Sequence, residues 1–188
     1  MTSPLAEPHV HGPFKVDDLD DLPDNGLRYE IFDGSLLVSP PAEFPHAGTA
    51  SRLHRLLVRQ LPDDVMVVEN VGVHISDKKY YVPDLVVIRD ELFRGEAGRR
   101  LRPADIELVV EIVSPNNPSN DLVLKRHAYA SAGIQEYWII DQRDRTLAVH
   151  RLDASGSYAI EATVRPAERW ESDTPFPVTV DPAEVFPP

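Results

Sequence analysis

Apolar residues recur along this chain in short, strand-length runs and seldom at helical spacing. In the densest run, Leu108, Val109, Val110, Ile112 and Val113 enclose one ionisable residue, Glu111. A continuous β-branched run reads as a strand covered on both faces, which puts Glu111 where water is scarce. An unpaired buried carboxylate is costly, so the pattern predicts a compensating cation or metal beside it.

Ser114, Pro115 and the 116–119 run break that strand, and Ser119 or Asn120 can cap a helix reaching to about Ala132 and closed by Gly133. At roughly 100° per residue, Leu122, Lys125, Ala128, Tyr129 and Ala132 share one face, while Arg126, His127 and Ala130 fall elsewhere. Lys125 therefore points at the sheet. Its aliphatic stem can cross apolar surface and bring the ammonium towards Glu111.

The rest of the pattern is mostly strands. Residues 1–14 carry Pro4, Pro8 and Pro13 without periodicity and read as a poorly ordered lead-in. A short acidic helix is expected over 16–22. Strands 28–33 and 35–39 flank Asp33-Gly34 as a hairpin, with Glu30 in the first. A helix over 46–61 turns Ala50, Leu53, Leu56, Leu57 and Leu61 inward and leaves Arg52, Arg55 and Arg59 mostly outside. Two strands over 65–69 and 71–75, or one strand bent around Gly72, follow, then a turn over 76–79 and an apolar strand over 85–88 entered through Tyr81-Val82-Pro83-Asp84. A basic loop or short helix over 90–104 precedes the central block. Further strands are expected over 135–141, 146–152, 157–164 and 178–180. The order predicts an α/β (α+β) fold, a mixed sheet flanked by few helices, with one domain over 15–188.

Composition and charge narrow the function. With 188 residues and 42% hydrophobic content, an adequate single core is expected. The chain has no cysteine, which excludes disulfides and thiolate metal sites, and no apolar run near the ~20 residues of a membrane span. A cytoplasmic location is the expectation. The net charge of -12 argues against a generic polyanion binder. Acids cluster at Asp17, Asp18, Asp20, Asp21 and Asp24, whereas Arg89, Arg94, Arg99, Arg100 and Arg102 crowd one region, leaving room for a local phosphate-binding rim.

Asp84, Glu111 and Lys125 thus set two acids and a lysine on neighbouring core elements. Two carboxylates suit a hard cation such as Mg²⁺ or Mn²⁺. Each residue also has a plainer role open to it: Asp84 as a turn cap, Glu111 in a structural ion pair with Lys125 or an arginine, Lys125 as a surface lysine, Glu30 paired across its hairpin. His46 reads as a helix-start residue, His54 as solvated, and Tyr129, Tyr137 and Trp138 as core. Ser114 lies in no nucleophile-elbow pattern.

Arg28-Tyr29-Glu30-Ile31-Phe32-Asp33-Gly34, Tyr81-Val82-Pro83-Asp84-Leu85-Val86, Leu108 to Pro115, the helix carrying Lys125, and Gly133-Ile134-Gln135-Glu136-Tyr137-Trp138-Ile139-Ile140-Asp141 together resemble the Uma-type putative restriction endonuclease family of the PD-(D/E)XK nuclease superfamily. The resemblance covers roughly 17–186. It implies a restriction-endonuclease-like core with an extra N-terminal hairpin and C-terminal antiparallel strands. It further implies a Mg²⁺-dependent endodeoxyribonuclease in which Asp84 and Glu111 hold the metal and Lys125 assists, with DNA as substrate and a homodimer as the assembly. Glu30 matches the acid of the family's Tyr-Glu motif. The superfamily's usual lysine lies two residues after the second acid, and that position here is Val113; Lys125 stands where a migrated lysine is expected. A non-catalytic relative of the same fold, acting as an oligomeric interaction or regulatory module, is the alternative.

Overall fold

A hairpin of β1 (Arg28–Phe32) and β2 (Ser35–Ser39) follows a 3₁₀ helix at Val16–Asp21. Its turn places Asp33 at φ 48° and Gly34 at φ 86°, the paired positive φ values that a tight two-residue hairpin requires. The computed structural model describes residues 13–94, 100–113 and 120–186. Helix α1 (Phe44–Val58) leads to β3 (Val65–Glu69), β4 (Val73–Ser76), β5 (Lys79–Tyr81), β6 (Leu85–Arg89) and a short α2 (Glu91–Arg94). Then come β7 (Ile106–Val113), a π-helical turn at Asn120–Lys125 continuing as α3 (Arg126–Ser131), and β8 (Glu136–Asp141). The chain ends with β9 (Thr146–Leu152), β10 (Tyr158–Val164), β11 (Trp170–Ser172), β12 (Val178–Val180) and α4 (Pro182–Val185).

Six strands form the main sheet in the order β10-β9-β8-β7-β6-β3, and a four-stranded sheet runs β2-β1-β5-β4. Only the β7 and β8 pair is parallel among the strand pairs of the main sheet. A parallel pair cannot be closed by a tight turn, so the chain must cross back over the sheet between them. That crossover carries α3.

Alternation along β7 sorts its residues between two layers. Leu108, Val110 and Ile112 join Leu85, Val87, Trp138 and Ile140 under α1, which contributes Ala50, Leu53, Leu56 and Leu57. Leu53 and Leu57 are fully buried, and burial of roughly 1.5–3 kcal/mol apiece holds this helix to the sheet more firmly than intrinsic propensity can. Val109 and Val113 face the opposite layer with Val86, Ile139, Tyr81 and Tyr129. Glu111, between them in the alternation, belongs to that second face.

The mixed sheet flanked by few helices matches the sequence expectation. Several details differ. Lys79 opens β5 where a turn was expected, because the turn needs only Asp77 and Lys78. Strand β11 and α4 were not anticipated: Trp170-Glu171-Ser172 does not alternate, and four residues are too few to show a helical period. Ala130 is buried although helical phase set it aside, so α3 is covered over a wider arc than one face. The lead-in over 1–12 and the strand break over 114–119, including the Ser119 cap, lie outside the described residues. Among the described residues, no helix is long and apolar enough to cross a membrane.

Candidate active site

Strands β6 and β7 are antiparallel, with Leu85 opposite Val110 and Val86 opposite Val109. One further step of this register brings Asp84, just before β6, level with Glu111. The Ile112 amide secures that end by donating to Asp84 Oδ2 at 2.7 Å. Strand β1 pairs with β5 through Ile31 and Tyr80, which carries Glu30 to the same end; the Val82 amide donates to Glu30 Oε1 at 2.8 Å.

From the crossover, Lys125 reaches both acids. Its Nζ lies 2.9 Å from Glu111 Oε1 and 3.0 Å from Glu30 Oε1. Tyr129, four residues on and therefore on the same helical face, donates its hydroxyl to Glu111 Oε1 at 2.8 Å. Glu30, Asp84, Glu111 and Lys125 are each 2–4% exposed, so this is a desolvated cluster rather than a surface ion pair.

Asp84 is also held from outside the main sheet. His46 Nε2 approaches Asp84 Oδ1 at 2.9 Å from the first turns of α1, and Arg28 Nη1 donates to the same oxygen at 3.3 Å. Burial pushes the Asp84 carboxyl up, but His46, the Ile112 amide and the Lys125 charge together bring it below its ordinary range. Burial works against the Arg28 cation, yet Glu30, Asp84 and Glu111 more than offset it and raise the guanidinium further. The Tyr129 hydroxyl is pushed well up, first by burial and then by the Glu111 charge, so it remains a donor. Among the described residues, three carboxylates, those of Glu30, Asp84 and Glu111, thus meet the Lys125 ammonium, the Arg28 guanidinium and the His46 ring.

Among the described residues, no group of three or more His, Cys, Asp or Glu side chains stands ready to hold a metal ion. An all-protein cage is therefore not what these residues build. Asp84 and Glu111 offer two buried carboxylates, and that donor set fits Mg²⁺, which commonly keeps several of its own waters and takes one or two carboxylates together with substrate phosphate.

The four residues singled out from sequence, Glu30, Asp84, Glu111 and Lys125, are thus brought together. Three others were missed. His46, read as a helix-start residue, lies four before Ala50 on the stripe that packs inward, a signal that was available. Arg28 sits two before Glu30 on the same strand face, also a usable hint. Tyr129 is core as expected and is in addition a donor to Glu111.

His54 is not simply solvated; its Nδ1 contacts Glu69 Oε1 at 2.5 Å. The expected phosphate rim is changed more deeply. Arg89 is paired with Asp64 and Glu107, Arg100 with Asp20, and Arg102 with Asp105. The acidic start of the chain thereby neutralises part of the basic segment. Arg99 and the side chain of Arg94 lie outside the described residues.

No curated protein matches the chain. The fold is similar to the crystal structure of a putative nuclease belonging to DUF820 from Anabaena variabilis ATCC 29413, with a TM-score of 0.73 over 93% of this chain and 98% of that one. At 18% identity this likeness shows the fold alone. Residues 16–183 match the model of a family described as Uma2, putative restriction endonuclease. With nearly all of its described residues inside that match, the chain belongs to the Uma2 family of putative restriction endonucleases.

Proposed function

We propose that the protein is a metal-dependent DNA endonuclease, hydrolysing phosphodiester bonds at Asp84 and Glu111. One observation carries the reading: two buried acids on adjacent strands share a site with a buried lysine, in a nuclease-type fold. Asp84 and Glu111 are the residues that would hold Mg²⁺ or Mn²⁺. When bound, such an ion supplies positive charge for the phosphoryl transition state and acidifies a water.

The chain's own groups do the rest. The Ile112 amide fixes one oxygen of Asp84, and Tyr129 fixes one of Glu111, so neither carboxylate needs to reorganise as charge develops. The Lys125 ammonium, steered by Glu30 and Glu111, adds positive charge beside the scissile phosphate and can orient the attacking water. Arg28, a quarter exposed, is placed to meet a second phosphate oxygen. DNA is the substrate in this reading, and a homodimer suits the two-fold symmetry of a duplex.

A second reading is favoured by the self-contained pairing of Lys125 with Glu30 and Glu111: the cluster can serve as a structural ion network in a non-catalytic interaction module. Plasmid and branched DNA incubated with Mg²⁺ or Mn²⁺ separate the two. Cleavage that is lost in Glu111→Ala, with a rise in melting temperature on adding Mn²⁺, supports the nuclease. No cleavage and no Mn²⁺ effect on melting leaves the structural network.

A further inference from the structure

Beside the acids lies an open cleft of about 550 Å³, whose lining includes Arg28, Val82, Tyr29, Tyr80, Pro41 and Ala42. Two of these residues tie it to the site: Arg28 donates to Asp84, and the Val82 amide donates to Glu30. The volume falls within the roughly 300–1,000 Å³ of small-ligand pockets and is far too small for a duplex. It suits roughly one or two nucleotides.

Its chemistry suits an unpaired base with its phosphate. The two tyrosines are held by their hydroxyl ends. Tyr29 donates towards Asn25 Oδ1 at 3.1 Å and the Pro23 carbonyl at 3.3 Å. The Tyr80 hydroxyl fills the space at Gly72, where an added Cβ would lie 1.7 Å from it, so only glycine admits the ring. Arg100 lies over the Tyr80 ring, 5.8 Å from its centroid, and its charge is matched by Asp20 at the cleft edge. Fixed aromatic and guanidinium planes are stacking platforms for bases that have left a duplex. For phosphate, Arg28 lines the cleft a quarter exposed, and among the described residues its hydrogen bonds leave from Nη1 while Nε and Nη2 make none.

Charge points the same way. At a net charge of -12, with Arg89, Arg100 and Arg102 each matched by an acid, a long run of phosphate contacts is disfavoured. Within the cleft, where Arg100 is paired with Asp20, recognition falls to stacking and the Arg28 guanidinium. We infer that this cleft binds an unpaired nucleotide of a DNA substrate, beside the bond to be cut, so that single-stranded or flapped DNA is preferred over blunt duplex. The inference rests on the nuclease reading for its biological role, but binding can be measured apart from cleavage.

The test is fluorescence anisotropy of the full chain in EDTA with single-stranded, flapped and blunt duplex oligonucleotides, followed by the same measurement on Ala42→Trp and Tyr29→Ala. Ala42 is exposed and lines the cleft but is not one of the acids or their partners, so the tryptophan fills the cleft while leaving Glu30, Asp84, Glu111 and Lys125 in place. Single-stranded and flapped DNA should bind more tightly than duplex, with a salt slope near that of one neutralised phosphate, about −0.7. Each variant should lose about tenfold or more, in line with one stacked base. Melting temperatures of the variants close to the parent's keep the loss attributable to the cleft. Equal binding of duplex, undiminished binding by Ala42→Trp, or no binding by the parent overturns the inference. Binding as expected without any cleavage in either Mg²⁺ or Mn²⁺ sinks the nuclease reading and leaves the cleft standing.

Discussion

Lys125 approaches Glu111 from a crossover helix rather than from the strand that carries Glu111, with Nζ 2.9 Å from Oε1 and 3.1 Å from Oε2. Val113, two residues beyond Glu111 and on the same strand face, packs into the apolar layer instead. The cation is supplied from fourteen residues along the chain because β7 and β8 are parallel and the connection must fold back over the face that holds Glu111. Strand and helix thus meet at one carboxylate.

Removing the ammonium should therefore be costly to stability as well as to activity. Lys125→Met leaves Glu30 and Glu111 buried without their shared counter-ion, a loss of about 3–5 kcal/mol by the usual cost of breaking a buried pair. Urea unfolding of the metal-free protein measures it. Adding Glu111→Gln to Lys125→Met should restore part of the loss, and a double-mutant cycle isolates the coupling. A single variant within about 1 kcal/mol of the parent would mean the pair is as weak as an exposed one.

The position of the lysine can be tested by moving it. Lys125→Met is expected to lower metal-dependent cleavage by about 10²–10³-fold, the scale of losing one fixed electrostatic partner. Val113→Lys in that background puts an ammonium on the face of Glu111 from its own strand and should recover a measurable part of the rate. Recovery read as initial rate of plasmid nicking supports electrostatic interchangeability of the two positions. No recovery in a folded double variant shows that the approach from the helix matters.

What sequence made legible follows the range of each interaction. Glu111 stood out because its neighbours in the chain are also its neighbours in the layer, and Lys125 because helical phase is a local property. His46 and Arg28 reach Asp84 across 38 and 56 residues, so local phase can turn each of them inward but cannot name the partner it meets. The pairing of Arg100 with Asp20 spans 80 residues and reverses the meaning of a charge cluster that looked available for phosphate. The hairpin was legible from Asp33-Gly34 because its turn demands positive φ; β11 was not, because Trp170-Glu171-Ser172 lacks the apolar-polar-apolar alternation of Val178-Thr179-Val180.

Tyr129→Phe isolates a single hydrogen bond. The ring stays packed at 5.7 Å from Tyr81 and 5.4 Å from Tyr137, and only the hydroxyl that meets Glu111 Oε1 is lost. A hydrogen bond to a charged acceptor contributes about 1.5–3 kcal/mol, so unfolding free energy should fall by that amount. If Glu111 is a metal ligand, loosening it should also weaken Mn²⁺ binding by about 10–100-fold, read by calorimetry. A stability loss with unchanged Mn²⁺ affinity would assign Tyr129 to packing and Glu111 to structure.

The acid limb of the stability profile should report Asp84. In the folded metal-free protein, burial raises its carboxyl, but His46, the Ile112 amide and Lys125 outweigh burial and hold it below the ordinary value of 3.8. Below that value the unfolded chain takes up the proton first, so it binds more protons than the native state and stability rises with pH. The contribution is complete above the unfolded value and is lost as pH falls through the folded one. Asp84→Asn should flatten the dependence of unfolding free energy on pH below about pH 5. His46→Ala removes the largest of the opposing causes and should shift acid unfolding, followed by circular dichroism in EDTA, to higher pH. An acid limb that is unmoved in both variants would mean that the Asp84 carboxylate is not held charged by His46 in solution.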